Sequence, residues 1–209
     1  MSSWTDTASF ATAGGTLVLA IATFASVRVS NRAARTTERS LLAGMLPLLV
    51  PSRIHDPKEK IRFLDNHWVE VSGGHAVAEV SDHVVYLAIA LRNVGQGLAL
   101  LDRWTVDASG ALDGEPERPD AFRRLTRDLY VASGDVGYWQ GTLRDESDPV
   151  FAAVASSIAE RRSLRIDLLY GDFEGGQRTV SRFLLTPRDD AQWLSTVSRH
   201  WRLDRPSPR

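Results

Sequence analysis

His83-Val84-Val85-Tyr86-Leu87-Ala88-Ile89-Ala90-Leu91-Arg92-Asn93 is the stretch that settles the fold class. Val85, Leu87, Ile89 and Leu91 alternate with Tyr86, Ala88, Ala90 and Arg92. Side chains of an extended chain point alternately to opposite faces, so this reads as a strand with one strongly apolar and one mixed face. Arg92-Asn93-Val94-Gly95-Gln96-Gly97 follows as a turn whose glycines can adopt positive φ. Leu98 to Val106 returns as the next strand.

Working outward, Leu46 to Arg53 is a short apolar run broken by prolines, which fits an edge strand entering a domain. His67 to Val71 and Ala76 to Val80 read as strands of a hairpin around Ser72-Gly73-Gly74. A polar, Pro/Gly-rich loop covers residues 108–121. Leu129 to Ala132 and Val136 to Gly141 are strands on either side of Ser133-Gly134-Asp135. Ser147-Asp148-Pro149 opens one helix, with a capping side chain, proline in the first turn, and an apolar stripe of Val150, Phe151, Val154 and Ile158. Leu164 to Tyr170 pairs with Gln177 to Leu185 across a Gly-rich turn, and Trp193 to Leu203 is a last strand, with a helix the alternative. Many short strands and a single helix predict a mainly β domain, a β-sandwich with one inserted helix over 46–204, and a disordered tail over 205–209.

Ahead of the domain, Ser9 to Val27 carries no charge. At about 1.5 Å per residue such a helix approaches the ~30 Å hydrocarbon core of a bilayer. A transmembrane helix is therefore expected over 9–29, after a short extracytoplasmic tail over 1–8. A buried helix of a soluble protein and a cleaved signal peptide are the competitors, and the second lacks its basic amino-terminal region. Arg28, Arg32, Arg35 and Arg39 follow at intervals of four, three and four, one stripe of a juxtamembrane helix over 30–45 at the membrane interface. Basic residues stay on the cytoplasmic side, so the expected topology is single-pass in the plasma membrane, amino terminus outside and domain in the cytoplasm.

Composition narrows the function classes. The chain has 43% hydrophobic and 24% charged residues, as a folded protein does, and a formal net charge of −1, which argues against nucleic acid as a partner. It has no cysteine, which excludes disulfides and thiolate metal sites. Its basic residues are almost all arginine, with Lys58 and Lys60 the exceptions, a bias of high-GC bacterial coding.

The blocks Arg92-Asn93-Val94-Gly95-Gln96-Gly97, Asp128-Leu129-Tyr130-Val131 with Gly137-Tyr138-Trp139-Gln140-Gly141, and Leu169-Tyr170-Gly171-Asp172 resemble those of uncharacterised single-pass membrane proteins of actinobacteria. The resemblance spans most of the chain. It implies an immunoglobulin-like β domain after one helix and implies no activity.

Chemistry-bearing motifs are missing. There is no Gly-x-Ser-x-Gly elbow, no phosphate loop and no His-Glu-x-x-His helix, and Gly95-Gln96-Gly97 lacks the third glycine of a dinucleotide site. His67, His75 and His83 recur every eight residues and, with Asp65, Glu70 or Asp82, have the donor types for Zn²⁺, but that interval imposes no convergence. Acidic clusters at Asp145, Glu146 and Asp148, at Asp172 and Glu174, and at Asp189 and Asp190 lack EF-hand spacing. No catalytic residue, metal or cofactor is expected. Trp68, Trp104, Tyr138, Trp139, Trp193 and Trp201 are the more telling set, since tryptophan is enriched at the centres of binding surfaces. Tyr138 and Trp139 are successive on a strand, so one ring should face outward and contact a partner.

Three functional readings follow: a cytoplasmic interaction module tethered to membrane lipid and binding a protein partner; an extracytoplasmic sandwich binding cell-wall glycan; and a metal-dependent hydrolase.

Overall fold

In the computed structural model the described residues are 23–34, 36–37, 41, 44–188 and 192–204. The chain forms two compact units, Met1–Gly44 and Met45–Arg209. In the first, residues 23–34 are helical and exposed, and Arg28 and Arg32 lie on that helix. Residues 9–22 of the expected transmembrane helix, Arg35, Arg39, and the two tails 1–8 and 205–209 lie outside the described residues. Among the described residues no helix is long and apolar enough to cross a membrane.

The second unit is mainly β. Its strands are β1 (Leu49–Pro51), β2 (Glu59–Arg62), β3 (Trp68–Val71), β4 (His75–Ser81), β5 (Val84–Asn93), β6 (Ala99–Asp107), β7 (Arg123–Val131), β8 (Val136–Leu143), β9 (Leu164–Gly171), β10 (Thr179–Pro187) and β11 (Trp193–Arg202), with helix α1 (Pro149–Ala159) between β8 and β9. Nine strands join in one antiparallel sheet, and β2 and β3 make a separate hairpin. β5 is its hub. β8 pairs along one side, while β4 and β1 share the other, Ala76 opposite Ile89 and Leu49 opposite Asn93. From β4 the sheet continues through β11, β10, β9 and β6 to β7. It curls until its ends face each other like a sandwich. Trp104 of β6 meets Trp139 of β8 edge to face, ring centroids 5.1 Å apart.

The interior holds the apolar face of β5 as expected, Val85, Leu87, Ile89 and Leu91 all fully buried with Phe183, Leu185, Ile166 and Val154. The mixed face is buried too. Tyr86, Ala88 and Ala90 lie under Ile61, Phe63, Val69 and Val71 of the β2–β3 hairpin. Sequence reading missed β2 because three of its four residues, Glu59, Lys60 and Arg62, are charged and only Ile61 is fully buried. That one side chain gains about 2–3 kcal/mol from burial, and its partners come from β3. β3 accordingly pairs with β2, not with β4, which corrects the hairpin expected around Gly73-Gly74.

A second correction concerns Arg92–Gly97. β5 does not pair with β6; β6 pairs with β7 and β9 in the opposite layer, so this segment carries the chain across the sandwich. Its glycines are also not there for positive φ, since neither Gly95 nor Gly97 adopts it. They let two backbones touch. A Cβ on Gly97 would stand 1.9 Å from the Met45 carbonyl oxygen, and one on Gly95 2.3 Å from that of Leu46. The incoming segment lies in this groove: Val94 N–H donates to Leu48 O at 2.8 Å and Gln96 N–H to Leu46 O at 3.1 Å. Asn93, fully buried, ties the ends together. Its Oδ1 accepts from Leu48 N–H and Gly95 N–H, and its Nδ2 donates to Gly97 O and Val131 O.

Other expectations hold. Asp148 caps α1 by accepting from Val150 N–H, and β9 pairs with β10 in antiparallel register. Trp193 to Arg202 is a strand rather than a helix, its apolar Trp193 in the core. β10 contributes one buried ion pair: Arg182 grips Asp167 through Nε and Nη2 at 2.9 and 2.8 Å. Its Nη1 donates to the carbonyls of Leu112, Asp113 and Gly114, pinning the 108–121 loop to the outside of the sheet. All of the guanidinium's polar sides are used, which is what makes burying the charge tolerable.

Gly97→Ala should lower unfolding stability by about 2–4 kcal/mol, because backbone rather than a flexible side chain blocks the added methyl group. Urea denaturation of the full chain checks this, and an unchanged midpoint contradicts the seating of Met45 on Gly97.

Candidate functional site

The tryptophans sort cleanly by exposure. Trp104, Trp139 and Trp193 are core residues, each at most 3% exposed. Trp201 is half-buried, its ring lying 4.7 Å from the Arg182 guanidinium carbon and 5.6 Å from that of Arg199. Trp68 alone among the described tryptophans is open to solvent, at 60%. The expected contact pair is therefore not an exposed site. Trp139 points into the interior, and Tyr138 is half-buried between the main core and the β2–β3 hairpin. The outward side of β8 is covered by the hairpin whose first strand the sequence concealed.

That hairpin instead presents a surface of its own. Its buried side holds Ile61, Val69 and Val71, so alternation sends Lys60, Arg62, Trp68 and Glu70 outward. Arg62 pairs opposite Trp68 and sets its guanidinium 5.9 Å from the indole centroid, a cation–π contact. Lys60 stands opposite Glu70, which in turn binds Lys58 at 2.8 Å. Arg127 of β7 donates to Arg62 O, tying the hairpin to the sheet. Leu64, in the turn between the strands, is also exposed. One aromatic ring, one aliphatic side chain and a basic surround make up the surface.

The turn behind it is rigid. Asp65 accepts from the Tyr86 hydroxyl, from Arg144 at 2.8 Å and from His67 N–H at 3.2 Å. His67 stacks on Tyr86 with centroids 3.9 Å apart and reaches Glu79 at 2.6 Å. Phe63 meets the same tyrosine edge to face. Burial alone would raise the Asp65 carboxyl, but these hydrogen bonds and the Arg144 charge outweigh it and hold its pKa at about 2. Burial and the same hydrogen bond push Tyr86 up to about 12. Both shifts favour the charged acid and the neutral phenol, the pair in which the tyrosine donates.

The histidines do not converge. His67 belongs to the Asp65 turn, His75 contacts Gly73 O at 2.6 Å, and His83 pairs with Glu146 in solvent. No group of three metal-ligating side chains forms among the described residues. The acids are used locally: Asp145 accepts from Ser147, Asp148 caps α1, and Asp172 accepts from Gly176 N–H. Glu174 lies in an exposed loop, and Asp189 and Asp190 fall outside the described residues. Ser181 does meet a histidine, 2.6 Å from His200 Nδ1, but the serine is fully buried and also bound to the Tyr170 hydroxyl. Tyr170 then accepts from Leu49 N–H. This chain of hydrogen bonds fastens the domain's entry strand and leaves no room for a substrate at the serine.

No protein-family model, curated protein or solved structure matches the chain.

Because folding holds Asp65 at about 2, below the ordinary aspartate range, its contribution to stability is complete above pH ~4 and is lost as pH falls toward 2. Thermal unfolding between pH 5 and pH 2 should therefore show a steeper fall for the wild type than for Asp65→Asn. Parallel curves for the two proteins contradict the charged Asp65 hub.

Proposed function

We propose that this chain is a membrane-tethered, non-catalytic interaction module whose β domain contacts a protein partner through the β2–β3 hairpin. The observation that carries the reading is Trp68, an indole held in solvent beside Arg62 on a turn locked by Asp65. Tryptophan and arginine are both enriched in binding hot spots, and a rigid mount lowers the ordering cost of docking. The basic residues Lys60, Arg62 and Arg127 favour a partner with acidic residues around an apolar pocket. The tether is the uncharged segment Ser9 to Val27, with the arginines after it retained in the cytoplasm.

An immunoglobulin-like descent of the sandwich is part of the same proposal. It is supported by the antiparallel pairing throughout, while β11, which joins both layers into one sheet, departs from two separate sheets. A second reading also uses Trp68: an exposed indole can stack on a sugar ring, which fits a glycan binder if the domain lies outside the cell. A reporter fused to the carboxy terminus separates the two readings by its compartment.

A photo-crosslinking residue in place of Leu64 in the full chain should form a protein adduct in cells. Trp68→Ala should weaken that contact by about 2 kcal/mol or more, roughly thirtyfold in affinity. Adducts of equal yield with and without the indole contradict the hairpin as the contact site.

A further inference from the structure

We propose that the end of the sandwich where the chain enters is itself a lipid-contact surface, seated on the bilayer by apolar loop tips. This rests on the tether reading above.

The topology collects these tips. β1 begins, β5 ends, β6 begins, β7 ends, β8 begins, β9 ends, β10 begins and β11 ends at this one end of the sheet. Direct contacts bind the turns into a single rim. Val94 and Gln96 hold Leu48 and Leu46, Ser133 Oγ donates to Gly95 O, and Arg92 joins Asp56 to Gly134 O. A small cavity lined by Leu46, Gln177, Arg178, Arg202 and Asp204 sets the loop after β9 beside the same entry segment.

Among the described residues the rim carries large apolar side chains that stand exposed. Phe173 is 77% exposed, Val94 48% and Met45 46%. Exposed apolar residues scattered singly over a surface need no explanation. These three come from three different segments, and each sits at a turn or at the mouth of the domain rather than on a strand face. Arginines at the rim do not repel a membrane: Arg92 is paired with Asp56 and Arg178 with Asp204, and Arg202 makes no ion pair among the described residues. Exposed acids also stand here, Asp135 and Glu174, so the surface is amphipathic and close to neutral rather than a cationic patch. Its attraction to lipid is apolar first.

Chain length supplies the reason lipid is the occupant. Seventeen residues lie between Val27 and Met45. Fully extended they reach about 60 Å, so a tethered domain never leaves the neighbourhood of the headgroups. Contact is then intramolecular, and a few weak tips are enough at that effective concentration. The rim is also the end through which the tether arrives. The Trp68 surface lies toward the other end, at the turn beside Asp65 and Arg144, where a protein partner can reach it.

The chain has no cysteine, so a single introduced one can be labelled uniquely. The full chain, carrying a nitroxide at Glu174→Cys or at Leu112→Cys, is reconstituted in phosphatidylcholine–phosphatidylglycerol vesicles. The Glu174→Cys label should be shielded severalfold from a water-soluble paramagnetic reagent and the Leu112→Cys label should not. Adding Phe173→Ser, an exposed change that leaves the core intact, should abolish the shielding. If the chain floats with the vesicles but both labels stay fully accessible, the seated rim is wrong and the tether stands. If the chain does not float with vesicles at all, the tether reading fails and the inference falls with it.

Discussion

One buried carboxamide organises this domain. Asn93 uses both amide hydrogens and its carbonyl oxygen on four backbone groups, two in the turn that crosses from one layer to the other, one at the end of β7 and one in the entering chain. An asparagine can do this because it carries donors and acceptor on one short, rigid group. Losing it would leave several backbone groups buried without partners, each costing more than the hydrogen bond it normally makes. Gly95 and Gly97 complete the device by letting the entering backbone lie directly against the turn. The segment before β1 is thus a component of the fold rather than a leash attached to it. The Tyr170–Ser181–His200 chain fixes β1 from the opposite layer, so the entry is held from both sides.

The second organising fact is that β5 is covered on both faces. A strand buried on one face leaves its other face as surface, where a functional aromatic can sit. Here the β2–β3 hairpin covers Tyr86, Ala88 and Ala90, and with them the outer side of β8. The exposed aromatic of this face therefore stands on the hairpin, where Trp68 is open to solvent while Trp139 is buried. The hairpin is held by an aromatic stack and by the Asp65 hub.

How much of this was legible follows from what each signal measures. Alternation of Val85, Leu87, Ile89 and Leu91 reports burial on one face and located β5 to within a residue. Ser147-Asp148-Pro149 states a helix start in local chemistry, and α1 begins there. Long-range pairing has no such local sign. Nothing in Ser72-Gly73-Gly74 distinguishes a hairpin from a connection, so β3 was paired with the wrong strand. β2 was invisible because its charged residues face solvent and a lone Ile61 makes no periodicity. Arg182 and Asp167 sit in sequence as ordinary strand residues, and only register brings them together. Which aromatic faces solvent was not legible from Tyr138-Trp139, because it depends on the hairpin layer that the sequence hid. The motif Arg92–Gly97 was recognised as a turn and misread as a hairpin, because a glycine chosen for close approach looks the same as one chosen for positive φ.

Amide hydrogen exchange at Leu48, Leu49, Val94 and Gln96 tests the central claim most directly. If Asn93 and the glycine turn seat the entering chain as part of the fold, these four amides exchange only on global unfolding, at the rate of β5 amides. Exchange at Leu48 and Leu49 as fast as in an exposed linker, with β5 still protected, would show the entry to be a free leash and would contradict the account.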